Sequence, residues 1–184
     1  MKHTRKLAAL ALTASLAVAG MTAPAGAHGD HDGPASGTSR LTHRQEVAVR
    51  KATQKFRRVD AALLAGYVPV SACTELPGVG GMGYHFLHPL LAGDDVVDPA
   101  RPELLVYQED RGRLRLGAVE YFVADADQDL TTDDDRPELF GRHPFDGPMV
   151  GHDADMPIHY DLHVWLYRHN PAGQLAAWNP AVRC

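Results

Sequence analysis

Two hydrophobic periodicities divide the chain. Val49, Ala52, Phe56, Val59 and Leu63 recur at spacings of three and four, which lines them along one stripe of a 3.6-residue repeat. Thr42 followed by Gln45 has the form of a capping box, and Gly66 suits the position just past a helix end. The pattern predicts one amphipathic helix of roughly 24 residues. Its other face carries Arg50, Lys51, Lys55, Arg57 and Arg58, which reads as a solvated face.

After Gly66 the period falls to two. Residues 67–73 read as extended, with Pro69 confining them to an edge. Residues 82–88, 103–108, 113–124 and 159–168 read as strands, and 109–112 as a hairpin loop. Residues 125–157 are acidic and rich in Pro and Gly, and read as connections. The expected class is α+β, with one long N-terminal helix packed on a curved antiparallel sheet of about four or five strands. Cystatin-like and NTF2-like folds supply the analogy. Residues 41–184 form a single domain in this reading.

The first 27 residues read as a secretory signal peptide. Lys2, Arg5 and Lys6 precede an apolar stretch over 7–20, too short for a bilayer span, and Ala25-Gly26-Ala27 is an A-x-A cleavage site. Residues 28–40, HGDHDGPASGTSR, read as a disordered leader. No later run is long and apolar enough for a membrane helix. Cleavage after Ala27 leaves roughly 157 residues, enough for one real core, in a secreted or extracytoplasmic protein. It removes three bases and no acids, taking the net charge from −5 to −8 and arguing against nucleic acid or anionic lipid as partner. Cys73 and Cys184 are the only cysteines. Outside the cytoplasm such a pair is most simply a disulfide; two free thiols, one nucleophilic, is the competing reading.

Several motifs fail on inspection. Gly78, Gly80 and Gly83 match G-x-G-x-x-G but precede a strand, so no helix N-terminus is offered to a pyrophosphate. Their better use is to let the backbone bulge or approach closely before His85. The acidic loop 125–136 opens with Asp125, Asp127 and Asp129 at calcium-loop spacing, but Leu130 and Arg136 stand where glycine and glutamate are needed. HGDHD offers His28 and His31 as a copper chelate, and a flexible leader explains it equally well. Ser71 is the only serine after residue 40 and lies in no nucleophile elbow.

Two strands carry chemistry. In RLRLGAVEYFVA, strict alternation puts Leu114, Leu116, Ala118, Glu120 and Phe122 on one face, apolar except for the carboxylate. A carboxylate there is costly unless paired, hydrogen-bonded, protonated or metal-bound. In HYDLHVWLY, His159, Asp161, His163, Trp165 and Tyr167 share one side and Leu162, Val164 and Leu166 the other. Same-face neighbours lie about 6.5–7 Å apart, so His159 and His163, about 13 Å apart, cannot share an ion without a bend. His163 is thus a ligand candidate, and Asp161 a ligand or an orienting group. His85 lies on the strand after the glycines, and His152 in a loop that can fold back. Imidazoles plus a carboxylate, without thiolate, suit a divalent transition metal, with zinc or copper favoured. The expected set is His85, Glu120 and His163, completed by His152 or His159. In a metal-dependent enzyme Glu120 could instead be the general base. The obstacle is that Glu120 shares a face with leucines, whereas His163 opposes them, so both can line one cavity only if the sheet curls or one strand is bulged.

The alternative is a cell-envelope module that binds a small ligand without metal. Tyr84, Phe86, Tyr121, Asp161 and Trp165 would line its pocket, with His85 and Glu120 at the polar end. A pure interaction domain is the third reading.

CTELPGVGGMGYHF, ARPELLVYQ, LGAVEYFV and LHVWLYRHNPAGQLAAWNPAVRC resemble a largely uncharacterised family of small exported bacterial proteins. Its pattern runs Cys, GGMGxH, PExLxY, VEY, HxW, NPxG, WNPxVxC, and fits from about Gly66 to Cys184. The resemblance implies recurring polar positions at His85, Glu120 and His163, paired cysteines at Cys73 and Cys184, and no particular reaction. Under it the acidic stretch around Asp125 looks like an insertion.

Overall fold

The computed structural model describes residues 40–151 and 156–184. The expected signal peptide, the leader up to residue 39 and His152 lie outside these.

The capping box forms: Thr42 Oγ1 accepts the Gln45 N–H and Gln45 Oε1 accepts the Thr42 N–H at 2.8 Å. The helix it opens is not the long one expected. α1 covers His43–Thr53, a 3₁₀ turn covers Gln54–Arg57, and α2 covers Val59–Leu64. Two side chains compete for the backbone at the break. Thr53 turns its hydroxyl back to Val49 O at 2.7 Å, and the Tyr107 hydroxyl donates to Phe56 O at 2.6 Å. Phe56 O is the carbonyl that a continuous helix would offer to residue 60. Arg58 is left extended, at φ −100° and ψ 118°. The apolar stripe slips in phase across this joint. Val49, Phe56 and Ala62 are buried, while Leu63 is half exposed.

The rest is mostly sheet. The strands are β1 (Val68–Pro69), β2 (Thr74–Leu76), β3 (Gly80–Leu87), β4 (Leu104–Asp110), β5 (Arg113–Ala124), β6 (Glu138–Leu139), β7 (His143–Pro144), β8 (Asp146–Met149) and β9 (His159–Trp165). Seven form one antiparallel sheet in the order β1-β3-β4-β5-β9-β8, with β2 also paired to β3; β6 and β7 pair separately. The expected sheet of four or five strands cradling a long helix, as in cystatin-like or NTF2-like folds, is therefore wrong on both counts. The additional strands are too short to carry a period-two signal, and β8 reads Asp-Gly-Pro-Met. A third short helix, α3, spans Pro89–Ala92. No helix among the described residues is long and apolar enough to cross a membrane.

The helical face of the sheet holds the main core, where Leu105, Tyr107, Leu116, Val119, Tyr121, Leu162 and Val164 pack with Val49, Phe56 and Tyr67. The opposite face has a small apolar cluster of Val106, Ala118, Trp165 and Val182. A strap over residues 169–184 supplies Val182. Asn179 and Gly81 exchange both backbone hydrogen bonds, and a Cβ on Gly81 would lie 2.8 Å from Val182 Cγ1. Close backbone approach is thus what this glycine permits. The strap ends in a disulfide between Cys184 and Cys73, with Cα atoms 5.6 Å apart.

Candidate metal centre

A single irregularity removes the obstacle found in the sequence. Val106 pairs with Ala118 but Tyr107 pairs with Leu116, so Gly117 is an extra, bulged residue. Alternation resets there. Leu114 and Leu116 join Val119 and Tyr121 on the helical face, while Ala118, Glu120 and Phe122 turn to the other. The expectation that Glu120 shares a face with Leu114 and Leu116 is therefore corrected. Glu120 stands directly opposite His163. His85, opposite Val106 on β3, reaches across β4 toward them.

The three side chains converge. His85 Nε2 lies 3.3 Å and His163 Nε2 3.4 Å from the same oxygen, Glu120 Oε2. The imidazole planes are nearly perpendicular, at 87°, with centroids 6.0 Å apart. His85 is 8 %, Glu120 4 % and His163 0 % exposed, so an ion here would be largely screened from water. All ligand atoms fall within 4.8 Å of one another, and the group could hold a metal ion. Bonds near 2.0–2.1 Å in a tetrahedron place ligand atoms about 3.3 Å apart. The two imidazole–carboxylate edges have that length. Neither Glu120 Oε2 nor His163 Nε2 makes a hydrogen bond of acceptable alignment despite this proximity.

Neighbouring groups orient the imidazoles. Ser71 Oγ accepts the His85 backbone N–H at 3.0 Å and hydrogen-bonds its Nδ1 at 3.0 Å, turning Nε2 toward Glu120. Asp161 lies between two histidines, with Oδ1 3.9 Å from His163 Nδ1 and Oδ2 3.9 Å from His159 Nε2. His159 caps the outer end of this row: its Nδ1 meets Pro157 O at 3.0 Å and its ring stacks on Phe122. It is not a member of the converging group.

Burial pushes the Glu120 carboxyl up to about 7, against the pull of His163 and with the help of Asp161. Burial works to lower His163, but the charges of Glu120 and Asp161 override it and hold the imidazole up to about 9. One partner is raised by burial and the other by its neighbours' negative charge. A second buried carboxyl, Glu103, is pushed up to about 8 by burial; its Oε2 accepts the Phe122 N–H at 3.1 Å. Sequence reasoning missed Glu103, which looks like an ordinary acid at a strand start, and noticed Ser71 only as a lone serine.

The expected apolar pocket is not assembled. Tyr84, Phe86 and Tyr121 belong to the helical-face core, opposite His85 and Glu120; Asp161 and Trp165 share the latter side, Trp165 packed on Val106, Ala118 and Val182. The acidic loop stands apart and is organised by its own carboxylates. Asp125 and Asp127 accept the Asp129 N–H, and Asp135 accepts the Ala126 N–H and the Tyr160 hydroxyl. No family model, curated protein or solved structure matches this chain.

Proposed function

We propose that this is an exported metal-binding protein in which His85, Glu120 and His163 ligate one divalent transition metal. Export rests on the signal-peptide pattern of residues 1–27 and agrees with the Cys73–Cys184 disulfide. One observation carries the metal reading: three buried donors from three strands meet at 3.3–3.4 Å edges, yet Glu120 Oε2 and His163 Nε2 make no well-aligned hydrogen bond. Buried polar atoms are ordinarily hydrogen-bonded, and metal coordination satisfies those that are not. The nitrogen and oxygen donors favour zinc or copper. Three protein ligands leave a coordination position open, as catalytic zinc sites do, and a metal there would lower the pKa of a bound water.

Protein purified without a histidine tag and analysed for metal by mass spectrometry tests this. Close to one metal per chain is expected, falling to background in His163→Ala and His85→Ala while both variants keep the native circular dichroism. Wild-type protein that stays metal-free after equilibration with zinc and with copper would overturn it.

A further inference from the structure

The break in the helical segment has a consequence on the surface. The 3₁₀ turn and the extended Arg58 direct Arg57 and Arg58 to the rim of a groove of about 710 Å³. Arg115, just before the bulge, and Arg168, just after β9, complete the cationic lining. The bulge fixes this side too, because the Gly117 carbonyl accepts the backbone N–H groups of both Tyr167 and Arg168, at 2.9 and 3.2 Å. Buried Gln108 lies at the floor, and Asp110 is the one acid in the lining.

Four arginines lining one groove are notable on a chain of net charge −5. Like charges gathered this way repel one another unless an anion lies between them. Internal pairing does not relieve them. Among the described residues no carboxylate lies within 4.0 Å of Arg57, Arg115 or Arg168, and Arg58 has only exposed Asp60 at 3.9 Å. Arg168 spends one N–H on Ala181 O. The volume falls within the range of about 300–1,000 Å³ typical of small-molecule sites. Guanidinium forks match the oxygens of phosphates and carboxylates two at a time.

We infer that this groove binds a small organic anion carrying two or more phosphate or carboxylate groups, independently of the metal centre. The ligand bridges Arg57 and Arg58 on the helical side to Arg115 and Arg168 on the sheet. A helix running unbroken through residue 57 would not set the first pair against the second, which gives the break a use beyond packing.

Isothermal titration of the full chain, stripped of metal, with inorganic pyrophosphate and separately with citrate tests the inference. At least one probe is expected to bind saturably at one site per chain, more weakly as salt rises. The tighter probe identifies the headgroup class, and either result is support. Arg57→Ala and Arg115→Ala, both exposed and free of structural bonds, are each expected to weaken binding about tenfold or more. Arg101→Ala, outside the groove, is expected to leave it unchanged. Absence of saturable binding by both probes, or equal weakening in Arg101→Ala, would overturn the assignment.

Discussion

On the helical side of the sheet, the hydroxyls of three core tyrosines end on backbone carbonyls, and that of a fourth, Tyr160, on the Asp135 carboxylate at 2.8 Å. Tyr67 donates to Pro102 O at 2.7 Å, Tyr107 to Phe56 O at 2.6 Å and Tyr121 to Pro99 O at 2.8 Å. On the other side, His85, Glu120 and His163 are comparably buried, yet two of their atoms meet without hydrogen-bond alignment. One face of a single sheet thus satisfies its polar groups, and the other gathers them. The contrast separates what holds the protein together from what it does. A cluster that retains charge in a dry setting costs stability unless a cation completes it. The helical-face core and the disulfide must carry that cost.

The contrast breaks most visibly at the covalent tie. Cys73 and Cys184 are 111 residues apart. Losing a link across a loop of that size costs about 4–5 kcal/mol in the chain-entropy model. Cys184→Ser is therefore expected to lower the unfolding free energy by about that much in urea titrations. A loss below about 1 kcal/mol would mean that the strap's other contacts hold it without the bond. Next in size is the core. Leu105 is fully buried on the helical face, and Leu105→Ala should cost about 2–5 kcal/mol. Metal content should stay at the wild-type level. If it fell in step with stability, the two faces would not be separable.

The third test is pH. Glu103 sits on the helical side with its carboxyl raised from 4.5 to about 8, chiefly by burial. Below pH 4.5 folded and unfolded chains both hold the proton, and this group imposes no penalty. Between pH 4.5 and about 8 the unfolded chain releases it first, so stability falls as pH rises and levels off above 8. The whole effect is a few kcal/mol at most. Glu103→Gln should flatten that slope and raise stability at pH 8 relative to wild type, as read from thermal melts at both ends of the window. An unchanged slope would assign it to other groups.

The site was more legible in the sequence than the scaffold around it. His85, Glu120 and His163 stood out because polar residues inside apolar strands are costly, and that cost is a local property of the chain. The three were expected at one site, but the means of their convergence was not legible. It depends on Gly117, and a glycine in a strand marks either a bulge or a close approach without saying which. Reading strict alternation through it put Glu120 on the wrong face. The helix failed for a different reason. Its stripe and capping box are real, but at the break the local Thr53 hydroxyl is joined by that of Tyr107, 51 residues away, which takes the Phe56 carbonyl. A tertiary hydrogen bond outweighs a weak helical preference at that point, and no window of local sequence contains it. The short strands β2 and β8 are partners of longer ones, and β6 and β7, two residues each, pair only with each other.

Asp161 gives the smallest effect and the sharpest separation between orientation and charge. Its carboxylate stands 3.9 Å from both His163 Nδ1 and His159 Nε2. Carboxylates behind ligating histidines fix the ring and raise its basicity, and removing one costs about 10–100-fold in metal affinity. Asp161→Asn keeps the shape and deletes the charge. Two consequences then oppose each other. The ligand is less well held, which weakens binding. His163, raised to about 9 partly by Asp161, also loses protons more readily, which favours the metal in competition with protons. At pH 7 the second offsets part of the first. Above about pH 9 His163 is mostly deprotonated in both proteins and the loss dominates. Chelator-buffered zinc titrations should therefore show a defect in Asp161→Asn that grows from pH 7 to pH 9.5. The same defect at both pH values would leave Asp161 an orienting role alone, and no defect at either would make it a filler between two histidines.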